Sequence, residues 1–178
     1  FFSANKMWID KIDNLGLIDN ATKHNIVSNK LLLISQKYNQ TSISLSKPNV
    51  FKQLLKQNWL AMGDPGHVPA GLYGKEALKY FGLWNDINNR VIRTANVRAV
   101  TVFVSSGESL FGIVYKSSLK GRKNLRAVFE FPKESHSPIL YFIAAIKNQS
   151  DLRSAEFINF LKSKKSADIF KNYGFSNP

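Results

Sequence analysis

Apolar residues along this chain fall into short runs broken by polar stretches and by Gly and Pro, never into one long block. From Ser3 to Val27 the chain reads as helical. Met7, Ile9, Ile12, Leu15 and Leu17 predict a buried stripe interrupted at Gly16, with Asn20 or Asn29 punctuating a further short helix. Lys30 to Ile34 is a compact apolar run, as expected of a strand covered on both faces. The Ser-, Thr- and Asn-rich residues from Gln36 to Pro48 predict a loop. A helix is expected over Phe51 to Gln57, a strand over Trp59 to Met62, a turn at Gly63-Asp64-Pro65-Gly66, and a helix from about Ala70 to Tyr80 that stops near Gly82. Asn96 is placed to cap a helix over Val97 to Ser105 that ends at Gly107. Strands are predicted at Phe111 to Tyr115, Ala127 to Phe131 and Ile139 to Ile146. Asp151 is placed to cap a helix reaching Leu161, and a last helix runs from Ser163 to Tyr173, before Gly174. Strands alternating with helices predict an α/β fold with a largely parallel sheet.

Composition sharpens this picture. With 44% hydrophobic and 21% charged residues, the chain can bury a core and has no compositional case for disorder. Its longest apolar runs, Leu31 to Ser35 and Ile139 to Ile146, are strand-sized and too short to span a bilayer. The absence of Cys removes disulfides, thiolate nucleophiles and cysteine metal sites together. The opening Phe1-Phe2-Ser3 shows neither an initiator Met nor a signal peptide, and is read as the start of a processed or trimmed product. The net charge of +13 favours anionic partners. Its clusters, Lys116 to Arg126 and Lys162 to Lys171, are expected to be solvated surface rather than a nucleic-acid or membrane footprint.

Candidate chemistry lies where strands give way to helices. In Gly63-Asp64-Pro65-Gly66-His67-Val68-Pro69-Ala70-Gly71 a strand ends and a helix opens near Ala70. The first turn of a helix offers unpaired N–H groups and a partial positive charge, enough to hold an oxyanion without a cationic side chain. Asn96-Val97-Arg98 is a second helix start, and Tyr115 closes a strand with a hydroxyl able to donate to a ligand.

The stretch Gly63-Asp64-Pro65-Gly66-His67-Val68-Pro69-Ala70-Gly71-Leu72-Tyr73-Gly74-Lys75-Glu76-Ala77-Leu78 closely resembles the periplasmic molybdate-binding receptors of bacterial ABC importers. The similarity continues at Phe2-Ser3-Ala4-Asn5-Lys6-Met7-Trp8, Asn96-Val97-Arg98, Gly112-Ile113-Val114-Tyr115, Phe131-Pro132-Lys133-Glu134-Ser135-His136 and Ala167 to Phe175. It keeps order and spacing over nearly the whole chain. Asn96 stands where that family has Asp and Ala99 where it has Gly, neither of which disfavours a capped helix.

The resemblance implies a type 2 periplasmic-binding-protein-like α/β fold, two lobes joined by crossing strands, with one lobe incomplete. Residues 1–35 would be the remainder of the N-terminal lobe and a crossing strand, 36–138 a complete C-terminal lobe, and 139–178 the return strand and helices packing on the N-terminal lobe. It implies that Ala70 and Val97 each give a backbone N–H, and Tyr115 its hydroxyl, to molybdate or tungstate. The ligand would be a tetrahedral oxyanion, with no cofactor, no metal coordinated by protein and no catalysis. It further implies a membrane permease as partner, no nucleic acid, a periplasmic location and a monomer when full length. The family's opening segment, whose serines bind the anion from the other side, has no counterpart here. Ser3 and Ser28 lie in the wrong context to replace them, so weak binding by this chain alone is expected.

Other residues read as structural. His24, His67 and His136 are isolated from further ligands, Asp64 is a turn-former, and Ser105-Ser106-Gly107 lacks the flanks of a nucleophile elbow. Trp8, Trp59 and Trp84 are expected in packing. Two other functions stay open on the residues alone: a ligand-sensing module of the same fold, which would need an attached DNA-binding segment, and a basic nucleic-acid binder.

Overall fold

The computed structural model describes residues 1–41, 43–45, 48–148 and 152–178. In chain order the elements are β1 (Phe2–Ser3), α1 (Lys6–Asn14), β2 (His24–Ser28), β3 (Leu31–Gln36), α2 (Pro48–Leu55), β4 (Leu60–Gly63), α3 (Pro69–Tyr80), α4 (Trp84–Ile87), β5 (Val91–Thr94), α5 (Val97–Ser106), β6 (Phe111–Tyr115), β7 (Leu125–Glu130), β8 (Leu140–Ile143), α6 (Leu152–Leu161) and α7 (Lys164–Asn172). They fold into two units, one of residues 30–137 and one of 1–29 with 138–178.

The 30–137 unit is built on a five-stranded sheet in the order β5-β4-β6-β3-β7. β5, β4 and β6 are parallel, and β3 runs antiparallel to both β6 and β7. The expectation of a largely parallel sheet needs that correction, since β3 alone is reversed. A strand covered on both faces carries the same apolar run in either direction, so hydrophobic pattern gives no signal of polarity. Leu60, Ala61, Met62, Phe111, Ile113 and Val114 are buried, as central strands require.

Alternate residues of these strands face opposite helical layers. Ala61, Val114, Leu32 and Ile34 pack with Val100 and Val104 of α5. On the other face, Phe111 meets Phe51 of α2 with ring centroids 5.5 Å apart. A Cβ on Gly74 of α3 would stand 2.9 Å from Met62 Cε and 3.3 Å from Ile113 Cγ2. α5 is closed at both ends, by Asn96 before it and by Gly107 after it, whose φ of 84° a side chain would strain.

The second unit has an antiparallel sheet in the order β1-β8-β2. Ile26, Val27, Ile143 and Leu161 form one of its core clusters, and Ile9, Ile18 and Ala144 another. Tyr141, Phe170 and Phe175 pack edge to face, with centroids 5.3 and 5.7 Å apart along the chain of contacts. Tyr141 also accepts a hydrogen bond from Asn29 at 3.3 Å.

The structure departs from the sequence expectations at several places. Helix in the first segment ends at Asn14, and His24–Ser28 is a strand. Of the supposed stripe only Ile9 is fully buried, while Met7, Leu15 and Leu17 are exposed. The predicted strand over 139–146 is regular only at Leu140–Ile143, with a bridge from Ile146 to Ile18. Trp8 and Trp59 are exposed rather than interior; Lys11 lies over Trp8, Arg90 over Trp59, and Lys75 over the half-buried Trp84. The expected cap at Asp151 and part of the predicted loop from Gln36 to Pro48 lie outside the described residues. No described helix is long and apolar enough to cross a membrane.

Candidate functional site

β4 and β5 are neighbours in the sheet, with Met62 beside Arg93 and Gly63 beside Thr94, so their carboxyl ends finish together. β6 flanks β4 on its other side in the same direction and carries Tyr115 to the same edge. The chain leaves β4 for α3 and leaves β5 for α5, and these two helices cover opposite faces. Adjacent parallel strands whose helices diverge in this way leave a crevice between their carboxyl ends, where open α/β sheets bind ligands.

Ala70 is buried and occupies the second position of α3, behind Pro69. Pro suits the first helical position, where no amide hydrogen is needed. The N-cap residue, Val68, makes no side-chain capping bond. Its carbonyl accepts from Gly71 and Leu72 at 2.9 and 3.0 Å. The N–H of Ala70 precedes these two, in the part of a helix without an intrahelical acceptor. Asp64 shapes the approach: its carboxylate accepts from Gly66 N at 2.8 Å and its carbonyl from Val68 N at 2.8 Å. The turn-forming role expected of Asp64 is therefore observed.

Val97 is the first residue of α5 and is half-buried against the core beneath that helix. Asn96 accepts from Ala99 N at 3.0 Å through its side chain, which satisfies one donor of the first turn and leaves Val97 N–H ahead of it. Thr94 ties the two helix entries together. Its hydroxyl lies 3.2 Å from Met62 O and 2.9 Å from Asn96 O, and its carbonyl accepts from Asp64 N at 2.8 Å. This role is not legible in the sequence, since a buried Thr at a strand end has no motif of its own.

Tyr115 is the last residue of β6, half-buried, with Leu31 opposite it on β3. Ala70, Val97 and Tyr115 thus belong to one edge of one sheet, within the 30–137 unit. Neighbouring strands lie about 4.8 Å apart, so β5, β4 and β6 deliver their ends across about 10 Å. Backbone amides and a phenol in that span can donate hydrogen bonds to a small anion. Gly71 lets α3 rest on the end of β4.

The histidines are dispersed. His67 is exposed with Nδ1 4.0 Å from Asp64 Oδ2, His136 Nδ1 lies 2.8 Å from Ser137 O, and His24 Nε2 lies 3.1 Å from Lys162 Nζ. Among the described residues no three His, Cys, Asp or Glu side chains are grouped to hold a metal ion.

Comparison with known proteins agrees with this architecture. The family model described as bacterial extracellular solute-binding protein matches residues 1–176. The chain is 33% identical over 177 residues to the molybdate-binding protein ModA of Escherichia coli, and equally to that of Haemophilus influenzae, covering 99% of this chain and 69% of each relative. Among solved structures, the substrate-binding domain of a putative molybdenum ABC transporter from Clostridium difficile superposes with a TM-score of 0.84 at 27% identity, over 100% of this chain and 76% of that one. The periplasmic-binding-protein α/β fold anticipated from the sequence is the fold of that structure. Matched over residues 1–176 by the family model and a third identical to curated relatives, this chain belongs to the bacterial extracellular solute-binding proteins, as a receptor and not an enzyme.

Proposed function

We propose that the chain captures molybdate, and tungstate with it, for a membrane permease of the ABC type, and that it works in the periplasm. Ala70 and Val97 donate backbone N–H groups to the anion and Tyr115 donates its hydroxyl. The observation that carries this reading is the pair of helix starts at the adjacent carboxyl ends of β4 and β5, with Tyr115 at the end of β6. The names of the relatives, molybdate-binding proteins at 33% identity, supply the choice of oxyanion. The chain passes from one unit to the other at residues 29–30 and back at 137–138.

Neutral donors suit such cargo. Each helix start carries roughly half a unit of positive charge, and hydrogen bonds to a charged group contribute about 1.5–3 kcal/mol each. The backbone amides can donate but not accept, so they favour the fully deprotonated anion over a protonated one. Molybdate and tungstate are close in size and should be poorly separated, whereas the smaller sulfate would leave the same donors stretched.

Calorimetric titration and thermal melting with molybdate, tungstate, sulfate and phosphate test the assignment. Molybdate and tungstate should each raise the melting midpoint, by the equivalent of roughly 2.7 kcal/mol at a hundredfold excess over the dissociation constant. Sulfate should do so only at much higher concentration. A chain that no oxyanion stabilises, or that prefers sulfate, would defeat the reading.

A further inference from the structure

The positive charge of this protein is unevenly placed. Residues 30–137 contain 16 Lys and Arg against 6 Asp and Glu, so ten of the thirteen excess charges belong to the unit that carries Ala70, Val97 and Tyr115. Three of these cations lie in chain position at or next to the carboxyl ends of β5 and β6 and the start of α5. Arg93 lies beside Met62 one residue before the end of β5, Arg98 follows Val97, and Lys116 follows Tyr115. All three are exposed, and among the described residues no ion pair engages any of them.

Some cations elsewhere are paired. Lys23 pairs with Asp10 and Asp13, Lys30 with Glu130, and Lys52 with Asp86. Of the acidic groups near the crevice edge, Glu130 is paired with Lys30, whereas Asp64 accepts from a neutral donor, Gly66 N. At the carboxyl ends of β4, β5 and β6 three exposed cations therefore stand against one carboxylate without a Lys or Arg partner, Asp64, and the balance of charge there is positive.

We propose that Arg93, Arg98 and Lys116 form an electrostatic funnel that speeds arrival of a doubly charged oxyanion without holding it. The inference rests on the anion-binding reading above and adds a division of labour to it. Amide and phenol donors select the shape of the cargo, while exposed cations, which would accept an anion of any shape, act only on its approach. A dianion feels such a field twice as strongly as a monoanion at the same distance. Steering of this kind raises association rates by roughly 10- to 1000-fold and fades with salt, because the Debye length is only about 10 Å at 0.1 M.

The test uses molybdate, with stopped-flow association and dissociation rates and calorimetric affinities, at ionic strengths of about 10 mM and about 500 mM. The edge variant is Arg93→Gln/Arg98→Gln/Lys116→Gln. The control, Lys56→Gln/Lys79→Gln/Lys123→Gln, removes equal charge from exposed positions in the same unit away from that edge. The edge variant should associate about tenfold more slowly at low salt and within twofold of the parent at high salt, with dissociation unchanged. The control should lose no more than about twofold. Equal losses in both variants would mean that net charge alone acts, and a loss that persists at high salt or sits in dissociation would mean direct contact; either overturns the funnel. A parent that binds molybdate while its edge variant behaves identically sinks the funnel alone. A parent that binds no oxyanion sinks the function reading, and the funnel with it.

Discussion

A Cβ built on Gly71 would stand 2.1 Å from the carbonyl oxygen of Gly63. The reverse holds too, since a Cβ on Gly63 would lie 2.6 Å from Val68 Cγ1 and 3.3 Å from Gly71 N. The first turn of α3 therefore rests backbone to backbone on the last residue of β4. What these positions need is absence of volume, and that contact fixes where the N–H of Ala70 is presented.

Gly71→Ala should accordingly cost about 2 kcal/mol or more of stability, because rigid backbone must move to admit the methyl group. Gly74→Ala meets the flexible end of Met62 at 2.9 Å and the side chain of Ile113 at 3.3 Å. It should cost less, about 1 kcal/mol. Denaturant unfolding of the two variants checks the order; equal costs would show that α3 is free to slide on β4.

Tyr115→Phe removes a single hydroxyl from the proposed site. Molybdate affinity should fall by roughly 10- to 100-fold, the equivalent of a hydrogen bond to a charged acceptor. Calorimetry decides this directly, and an unchanged dissociation constant would take Tyr115 out of the site.

Asn96→Ala deletes the cap that accepts from Ala99 N. A loss of about 1 kcal/mol is expected, with Asn96→Asp close to the parent because Asp caps equally well. Thermal melts of both variants suffice, and a stable Asn96→Ala chain would show that the cap carries little weight.

In the unit of residues 1–29 and 138–178, Lys23 hydrogen-bonds Asp13 at 2.8 Å and reaches Asp10 at 3.5 Å. The bond from Lys23 holds the Asp13 carboxyl below its ordinary range, and the same bond raises the Lys23 ammonium above its own. A depressed carboxyl stabilises the fold above its unfolded value and loses that contribution as pH falls through its folded value. The raised ammonium contributes below its unfolded value and loses its share as pH climbs through the folded one. The melting-point gap between the parent and Asp13→Asn should thus be present at neutrality and close in acid, below the usual carboxylate range. A gap that stays constant into acid would contradict this pairing.

Local chemistry made much of this fold readable. Asn96 and Gly107 bound α5, Pro69 opens α3, and Ser163 caps α7 through Ser166 N, all at signals visible in the sequence. The buried strands β3, β4 and β6 stand out as apolar runs, and the sequence placed Ala70, Val97 and Tyr115 at helix starts and a strand end, where they lie. β5 escaped notice because it is a four-residue edge strand with Arg93 exposed, too short and too polar at that position to register. β2 was absorbed into a helix because His24-Asn25-Ile26-Val27-Ser28 lacks alternation. The reversal of β3 and the Gly63–Gly71 contact are relations between distant residues, which no local pattern encodes.

Because Val68 supplies no side-chain oxygen, α3 begins without the anchor that Asn96 gives α5. An anion arriving at its tip would do for α3 what an Asn or Ser does elsewhere, so loading and local order become one equilibrium. Amide exchange at Ala70 should slow on molybdate addition far more than exchange in the already anchored middle of α5. In the proposed site the cargo would complete the start of α3 as the Asn96 side chain completes that of α5.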